Sequence, residues 1–132
     1  STLWLANAAQ ETDGQITTLE IDALRTAQAK KYAEELNLDH VIDFVVTDAQ
    51  DFLQHSSEVY DFILLDAERD AYLNYWPYLQ KMIDPKGGVL IVDNVISHAS
   101  EVKSFIQQVK QDGRFMTTTL SLGAGLFMVM FK

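Results

Sequence analysis

Apolar positions along this chain follow two alternating rhythms. Thr2, Leu5, Ala6 and Ala9 recur at helical spacing until Gly14 breaks the run, and Ile16 to Ile21 then reads as a strand. Asp22 is placed to cap a helix whose Ala29, Tyr32, Ala33 and Leu36 share a face. Phe44-Val45-Val46 predicts a second short strand, and Ala49 to Leu53 one or two helical turns. Phe62-Ile63-Leu64-Leu65 is apolar at every position, as suits a strand covered on both faces, and Val89-Leu90-Ile91-Val92 has the same character. Between them Tyr72, Tyr75, Trp76, Leu79 and Ile83 trace one helix face, with Pro77 expected to bend or restart the helix. Asp84-Pro85-Lys86-Gly87-Gly88 is a turn. Val102, Phe105, Ile106 and Val109 mark another helix. Arg114 to Leu122 and Leu126 to Phe131 predict two final strands around Gly123-Ala124-Gly125.

Strands alternating with helices predict an α/β fold, with a mostly parallel, doubly wound sheet and helices on both faces. The closing strand pair, joined by a short turn, adds one antiparallel member. No repeat, low-complexity stretch or linker interrupts the pattern, so residues 1–132 are expected to form a single domain.

Ligands of open α/β sheets sit beyond the carboxyl ends of the strands. Four consecutive predicted strands here end in acids: Glu20 with Asp22, Asp48, Asp66, and Asp93 with Asn94. Singly, Asp22, Asp48 and Asp66 are equally well explained as helix caps, Glu20 as a solvated strand end, and Asp93-Asn94 as a turn pair. Jointly they are harder to dismiss, because caps do not require four strands in a row to end this way. A carboxylate at a strand tip, as at Glu20, is suited to accept hydrogen bonds from a ribose diol. Asp66, Asp93 and Asn94 together offer the oxygen donors that a hard cation such as Mg²⁺ takes.

Composition narrows the partners. With 48% hydrophobic residues the chain is globular, and a net charge of −9 disfavours nucleic acid. The absence of cysteine excludes disulfides and zinc–thiolate sites and is compatible with a reducing cytoplasm. No apolar run approaches the roughly 20 residues of a membrane span.

The runs Leu65-Asp66-Ala67-Glu68-Arg69-Asp70-Ala71-Tyr72 and Pro85-Lys86-Gly87-Gly88-Val89-Leu90-Ile91-Val92-Asp93-Asn94-Val95 resemble the cation-dependent O-methyltransferases, the catechol and caffeoyl-coenzyme A type with many bacterial relatives. Thr18 to Asp22 is similar to that family's ribose-binding strand, Thr47 to Leu53 to its adenine-side loop, and Leu122 to Leu126 to its closing hairpin. The resemblance implies a Rossmann-like class I methyltransferase that moves a methyl group from S-adenosylmethionine to a hydroxyl of a small molecule, with a divalent cation. It implies that Glu20 binds the ribose, Ile21 packs on adenine, Asp48 and Ala49 meet the adenine's polar edge, and Asp66 borders the cofactor. Asp66, Asp93 and Asn94 would hold the cation, and Ser1 and Thr2 would face the cofactor's methionine part. A cytoplasmic homodimer is the implied setting.

Two departures qualify the resemblance. Members of the family often carry lysine where this chain has Arg69, and a tryptophan shortly after Asp93-Asn94, where this chain has Val95-Ile96-Ser97-His98. Arginine stays protonated and cannot act as a base. Arg69 is therefore expected to stabilise an oxyanion, to bind an acidic substrate, or merely to pair with Asp70 or Glu68. His98 is a candidate base, substrate contact or additional metal ligand, though a histidine early in a helix is more often structural. The family's first strand and glycine-rich loop would precede Ser1, so the chain is expected to be partial at its N-terminus. Methylation of an RNA nucleoside, or a degenerate domain without catalysis, are the alternative readings.

Overall fold

Asp22 acts as the helix cap its position suggests. Its carboxylate accepts the backbone N–H groups of Leu24 (2.8 Å) and Arg25 (3.4 Å), satisfying donors that the first turn leaves open. The capped helix, α2 (Ala23–Glu35), follows α1 (Thr2–Glu11) and strand β1 (Ile16–Glu20). After it come β2 (Ile42–Val46) and α3 (Ala49–His55). This computed structural model describes residues 2–132, and the chain divides into two compact units, residues 1–52 and 53–132.

In the first unit β1 and β2 pair in parallel, Ile16 opposite Ile42 and Glu20 opposite Val46. The core is small: Ala6, Ala33, Leu38, Val41 and Ile42, with Leu3, Ile16 and Phe44 packed against it. β1 ends one residue earlier than the apolar pattern suggests, because Ile21 has left the ladder and stands 72% exposed.

The second unit contains β3 (Phe62–Leu65), α4 (Tyr72–Met82), β4 (Val89–Asp93), α5 (Ala99–Gln111), β5 (Phe115–Leu120) and β6 (Leu126–Phe131). Its sheet has the order β3-β4-β6-β5. β3 and β4 are parallel, and β6 runs antiparallel to both of its neighbours, so it is the one reversed strand. β3 lies at the sheet edge, and Phe62 is exposed, so its wholly apolar run is less covered than the sequence suggests. β4 is fully buried only at Leu90 and Val92.

Helix α4 continues through Pro77 without a break. Proline removes the donor that would bond the Leu73 carbonyl. Both residues are on the exposed side of the helix, where that carbonyl can turn to water. The buried side carries Tyr72, Tyr75, Trp76, Leu79 and Met82. From it an aromatic chain crosses the core: Tyr72 to Phe105 (centroids 5.5 Å apart), Phe105 to Trp76 (6.0 Å), Trp76 to Phe115 (5.1 Å) and Phe115 to Phe131 (4.4 Å). The first three contacts are edge-to-face, the arrangement ring quadrupoles favour. Phe105 touches both Tyr72 and Trp76 and is 2% exposed. Phe105→Ala is therefore expected to destabilise the protein by about 3–5 kcal/mol, measured by urea unfolding.

Candidate functional site

The strand-end acids fall into two groups, one in each unit. In the first, β1 brings Glu20 to the carboxyl edge and β2 delivers Asp48 there. The two loops are tied by Thr47 N–H donating to the Glu20 carbonyl at 3.0 Å. One Glu20 carboxylate oxygen accepts the Asp22 N–H at 3.2 Å, which orients the group at the strand tip. Asp48 accepts the Gln50 N–H at 3.3 Å and so caps the turn on which Ala49 begins α3. A cleft of about 250 Å³ borders Glu20, lined also by Thr18, Arg25, Ala29 and Phe44. Ser1 and the Thr2 side chain lie outside the described residues.

In the second unit, the parallel register Leu65↔Val92 brings the ends of β3 and β4 side by side. Asp66 follows one and Asp93-Asn94 closes the other. Asn94 Nδ2 donates to Asp66 Oδ1 at 3.4 Å, and Asn94 N–H donates to Asp93 Oδ1 at 2.8 Å. Asp66 thus meets the amide across the strands rather than capping a helix.

Backbone chemistry holds this arrangement. Asn94 sits at φ 64, the left-handed region that asparagine tolerates better than most residues. The hairpin between β5 and β6 supports it from the side. The Gly125 carbonyl accepts the Val95 N–H (3.2 Å), and the Ala124 carbonyl accepts those of Ile96 (2.9 Å) and Ser97 (3.0 Å). Gly125 is at φ 96, and a Cβ there would fall 2.4 Å from Ile96 Cγ1 and 2.7 Å from its backbone nitrogen. Only glycine lets the two segments meet so closely.

Tyr72 fixes the backbone of Ala67, the residue after Asp66, a role the sequence pattern does not reveal beyond marking Tyr72 as core. Its hydroxyl accepts the Ala67 N–H at 3.1 Å and donates to the Ala67 carbonyl at 3.3 Å. Burial pushes the phenol pKa up, keeping it a neutral donor.

Arg69 lies on a 3-10 turn, Arg69–Ala71, after β3. It pairs with neither Asp70 nor Glu68. Its Nε donates to Glu101 Oε2 in the first turn of α5, at 2.5 Å. That hydrogen bond holds the Glu101 carboxyl below its usual range and raises the guanidinium further above neutrality. His98 stands immediately before α5 and makes no side-chain cap. Its Nδ1 lies 2.9 Å from Ser97 Oγ, which also reaches the Asn94 carbonyl at 3.4 Å.

Among the described residues no three His, Cys, Asp or Glu side chains converge as a ready metal centre. The Asp66, Asp93 and Asn94 set consists of two carboxylates and an amide. In the arrangement described, the amide turns its nitrogen toward Asp66. A half-turn of the amide would present its oxygen instead, completing an all-oxygen donor set of the kind hard cations prefer. These residues therefore fit a divalent cation chemically.

Comparison with solved structures gives the fold as that of Rossmann-like class I methyltransferases. An O-methyltransferase from Bacillus cereus in complex with SAH superimposes with a TM-score of 0.82 at 25% identity, over 99% of this chain and 68% of its own. The O-methyltransferase TomG from Streptomyces achromogenes, in complex with SAM, gives a TM-score of 0.85 at 21% identity, covering 99% of this chain and 67% of its own. The sequence profile of the O-methyltransferase family matches residues 1–132, and the chain belongs to that family. Among curated relatives, "Probable caffeoyl-CoA O-methyltransferase 1" of Dictyostelium discoideum is 24% identical over 89% of this chain. The chain spans 58% of that relative's length.

Two outcomes test the site's construction. Gly125→Ala is expected to destabilise the protein by about 1–3 kcal/mol in thermal or urea unfolding, through strain against Ile96. Glu101 has a depressed pKa, so the Arg69 pair is fully formed above the ordinary glutamate range and is lost as pH falls through the lowered value. A carbon-detected NMR titration should show the Glu101 midpoint below the ordinary glutamate range, returning toward it in Arg69→Met.

Proposed function

We propose that this chain carries the cofactor-binding core of an S-adenosylmethionine-dependent O-methyltransferase acting on a hydroxyl of a small molecule. The observation that carries the reading is the meeting of Asp66 and Asn94 across the carboxyl ends of β3 and β4, 3.4 Å apart, with Asp93 beside them. Family membership along the whole of residues 1–132 supports it, and supports treating both units as parts of one methyltransferase domain. S-adenosylmethionine supplies an electrophilic methyl group on a sulfonium. Glu20 would accept the ribose hydroxyls through its oriented carboxylate, Ile21 would offer its exposed side chain to the adenine, and Asp48 with Ala49 would meet the base's polar edge. Asp66 would border both the cofactor and the acceptor.

Asp66, Asp93 and Asn94 would hold a divalent cation, whose positive charge lowers the pKa of an acceptor hydroxyl. The proton must pass to a group able to take it, and Arg69 cannot. His98 is the candidate. When the Ser97 hydroxyl donates to the Asn94 carbonyl, it accepts from Nδ1–H, and Nε2 is left with the lone pair. The remaining work is positioning: holding acceptor oxygen and methyl carbon in line while water is excluded. The cysteine-free, acidic composition is compatible with a cytoplasmic setting, and a homodimer belongs to the same reading.

Calorimetric titration of S-adenosylhomocysteine into the full-length protein is expected to show saturable one-site binding. Glu20→Ala should weaken it by about tenfold or more, the usual cost of a lost hydrogen bond to a charged group. Methyl transfer should fall when divalent cations are chelated and return with Mg²⁺. Binding indifferent to Glu20→Ala would remove Glu20 from the cofactor site. Turnover indifferent to chelation would remove the cation from the reaction.

A further inference from the structure

Arg69 has one committed nitrogen and two uncommitted ones. Nε is taken by Glu101, while neither Nη atom has a hydrogen-bond or ion-pair partner among the described residues. The side chain is 25% exposed, so its stem is largely covered and its head is pinned from one side by Glu101. Asp66 and Tyr72 are both near enough to act on its charge. The Nη edge is therefore a fixed, unfilled fork of N–H donors near the Asp66–Asn94 pair.

The charges around it define what can fill the fork. Residues 66–70 and 93–98, the two segments leaving β3 and β4, contain Asp66, Glu68, Asp70 and Asp93, with Arg69 as their one lysine or arginine. A surrounding of acids repels diffuse or multiply charged anions. A singly charged planar group that meets both Nη atoms at once gains directional bonds that offset this repulsion. A carboxylate has that shape and charge.

We propose that the Nη edge of Arg69 binds a carboxylate on the methyl acceptor, so that the acceptor is a hydroxylated carboxylic acid, and that Glu101 is the positioning residue that aims the fork. The assignment rests on the O-methyltransferase reading and specifies its substrate class. Glu101 needs no contact with the acceptor. By holding Nε it fixes the guanidinium plane, and it leaves the two Nη nitrogens for an end-on bidentate grip.

The test compares a hydroxylated acid with its neutral amide. 3,4-Dihydroxybenzoate and 3,4-dihydroxybenzamide present the same diol and differ at the group Arg69 would meet. With the full-length protein, S-adenosylmethionine and Mg²⁺, kcat/KM is expected to favour the acid by about tenfold or more. Arg69→Met should bring the acid-to-amide ratio close to one, chiefly by raising KM for the acid. Arg69→Lys, which keeps the charge and loses the fork, should fall between, and guards against a Met variant that does not fold. Glu101→Ala should raise KM for the acid with little change in kcat. Equal turnover of acid and amide by the wild type, or a preference that Arg69→Met leaves intact, would overturn the carboxylate assignment while O-methylation stands. Turnover of neither diol would overturn both readings.

Discussion

The close approach of Gly125 to Ile96 is the constraint on which the second unit's site depends. Because β6 pairs with β4 so that Leu126 faces Asp93, the hairpin turn falls beside the segment leaving β4. There the carbonyls of Ala124 and Gly125 collect three consecutive N–H groups, those of Val95, Ile96 and Ser97. Those donors would otherwise be left open just after a residue in the left-handed region, a conformation that costs energy unless the surroundings enforce it. With them satisfied, Asn94 keeps its φ of 64, and its amide points across to Asp66. Any side chain at position 125 would push the hairpin off Ile96 and release the segment. Tyr72 does the equivalent on the other strand, clasping both polar groups of Ala67 from the core. The acids are thus held by backbone contacts that lie outside the acids themselves.

Much of this was legible in the sequence because it is local. The Asp22 cap depends on residues two and three positions away, and the helix face of Tyr72, Tyr75, Trp76 and Leu79 depends on the 3.6-residue period. The convergence of Asp66 with Asp93-Asn94 was also readable, since parallel strands place all carboxyl ends at one edge. What escaped the pattern is set by the third dimension. An apolar run cannot say which strand lies at the sheet edge, so Phe62 is more exposed than its neighbours in sequence suggest. Pro77 signals a break, yet the exposed side of α4 gives the unbonded carbonyl access to water. The partner of Arg69 is 32 residues away on α5, while two acids stand within one residue of it in the chain. Sequence proximity favoured those two. The 3-10 turn brings the guanidinium to Glu101.

Replacing an amine with a guanidinium at position 69 changes what the site can do with charge. A lysine near a cation site can give up its proton and become a base, because burial and a neighbouring dication both lower its pKa. Arginine keeps its charge at every pH the protein meets, and Glu101 strengthens that preference through the bond to Nε. The positive charge beside Asp66 is therefore permanent rather than part of a proton cycle. On the proposed reading a permanent cation there would have two uses: it would stabilise negative charge on the acceptor, and it would select acceptors that bring negative charge with them. In the proposed mechanism, proton removal would then fall to a group on a neighbouring element. His98, joined through Ser97 to the same Asn94 carbonyl that the hairpin holds in place, is the titratable side chain built into that element. In the proposed mechanism the fixed charge is separate from the proton acceptor, so each could be altered without the other, unlike a site in which a single lysine serves both ends.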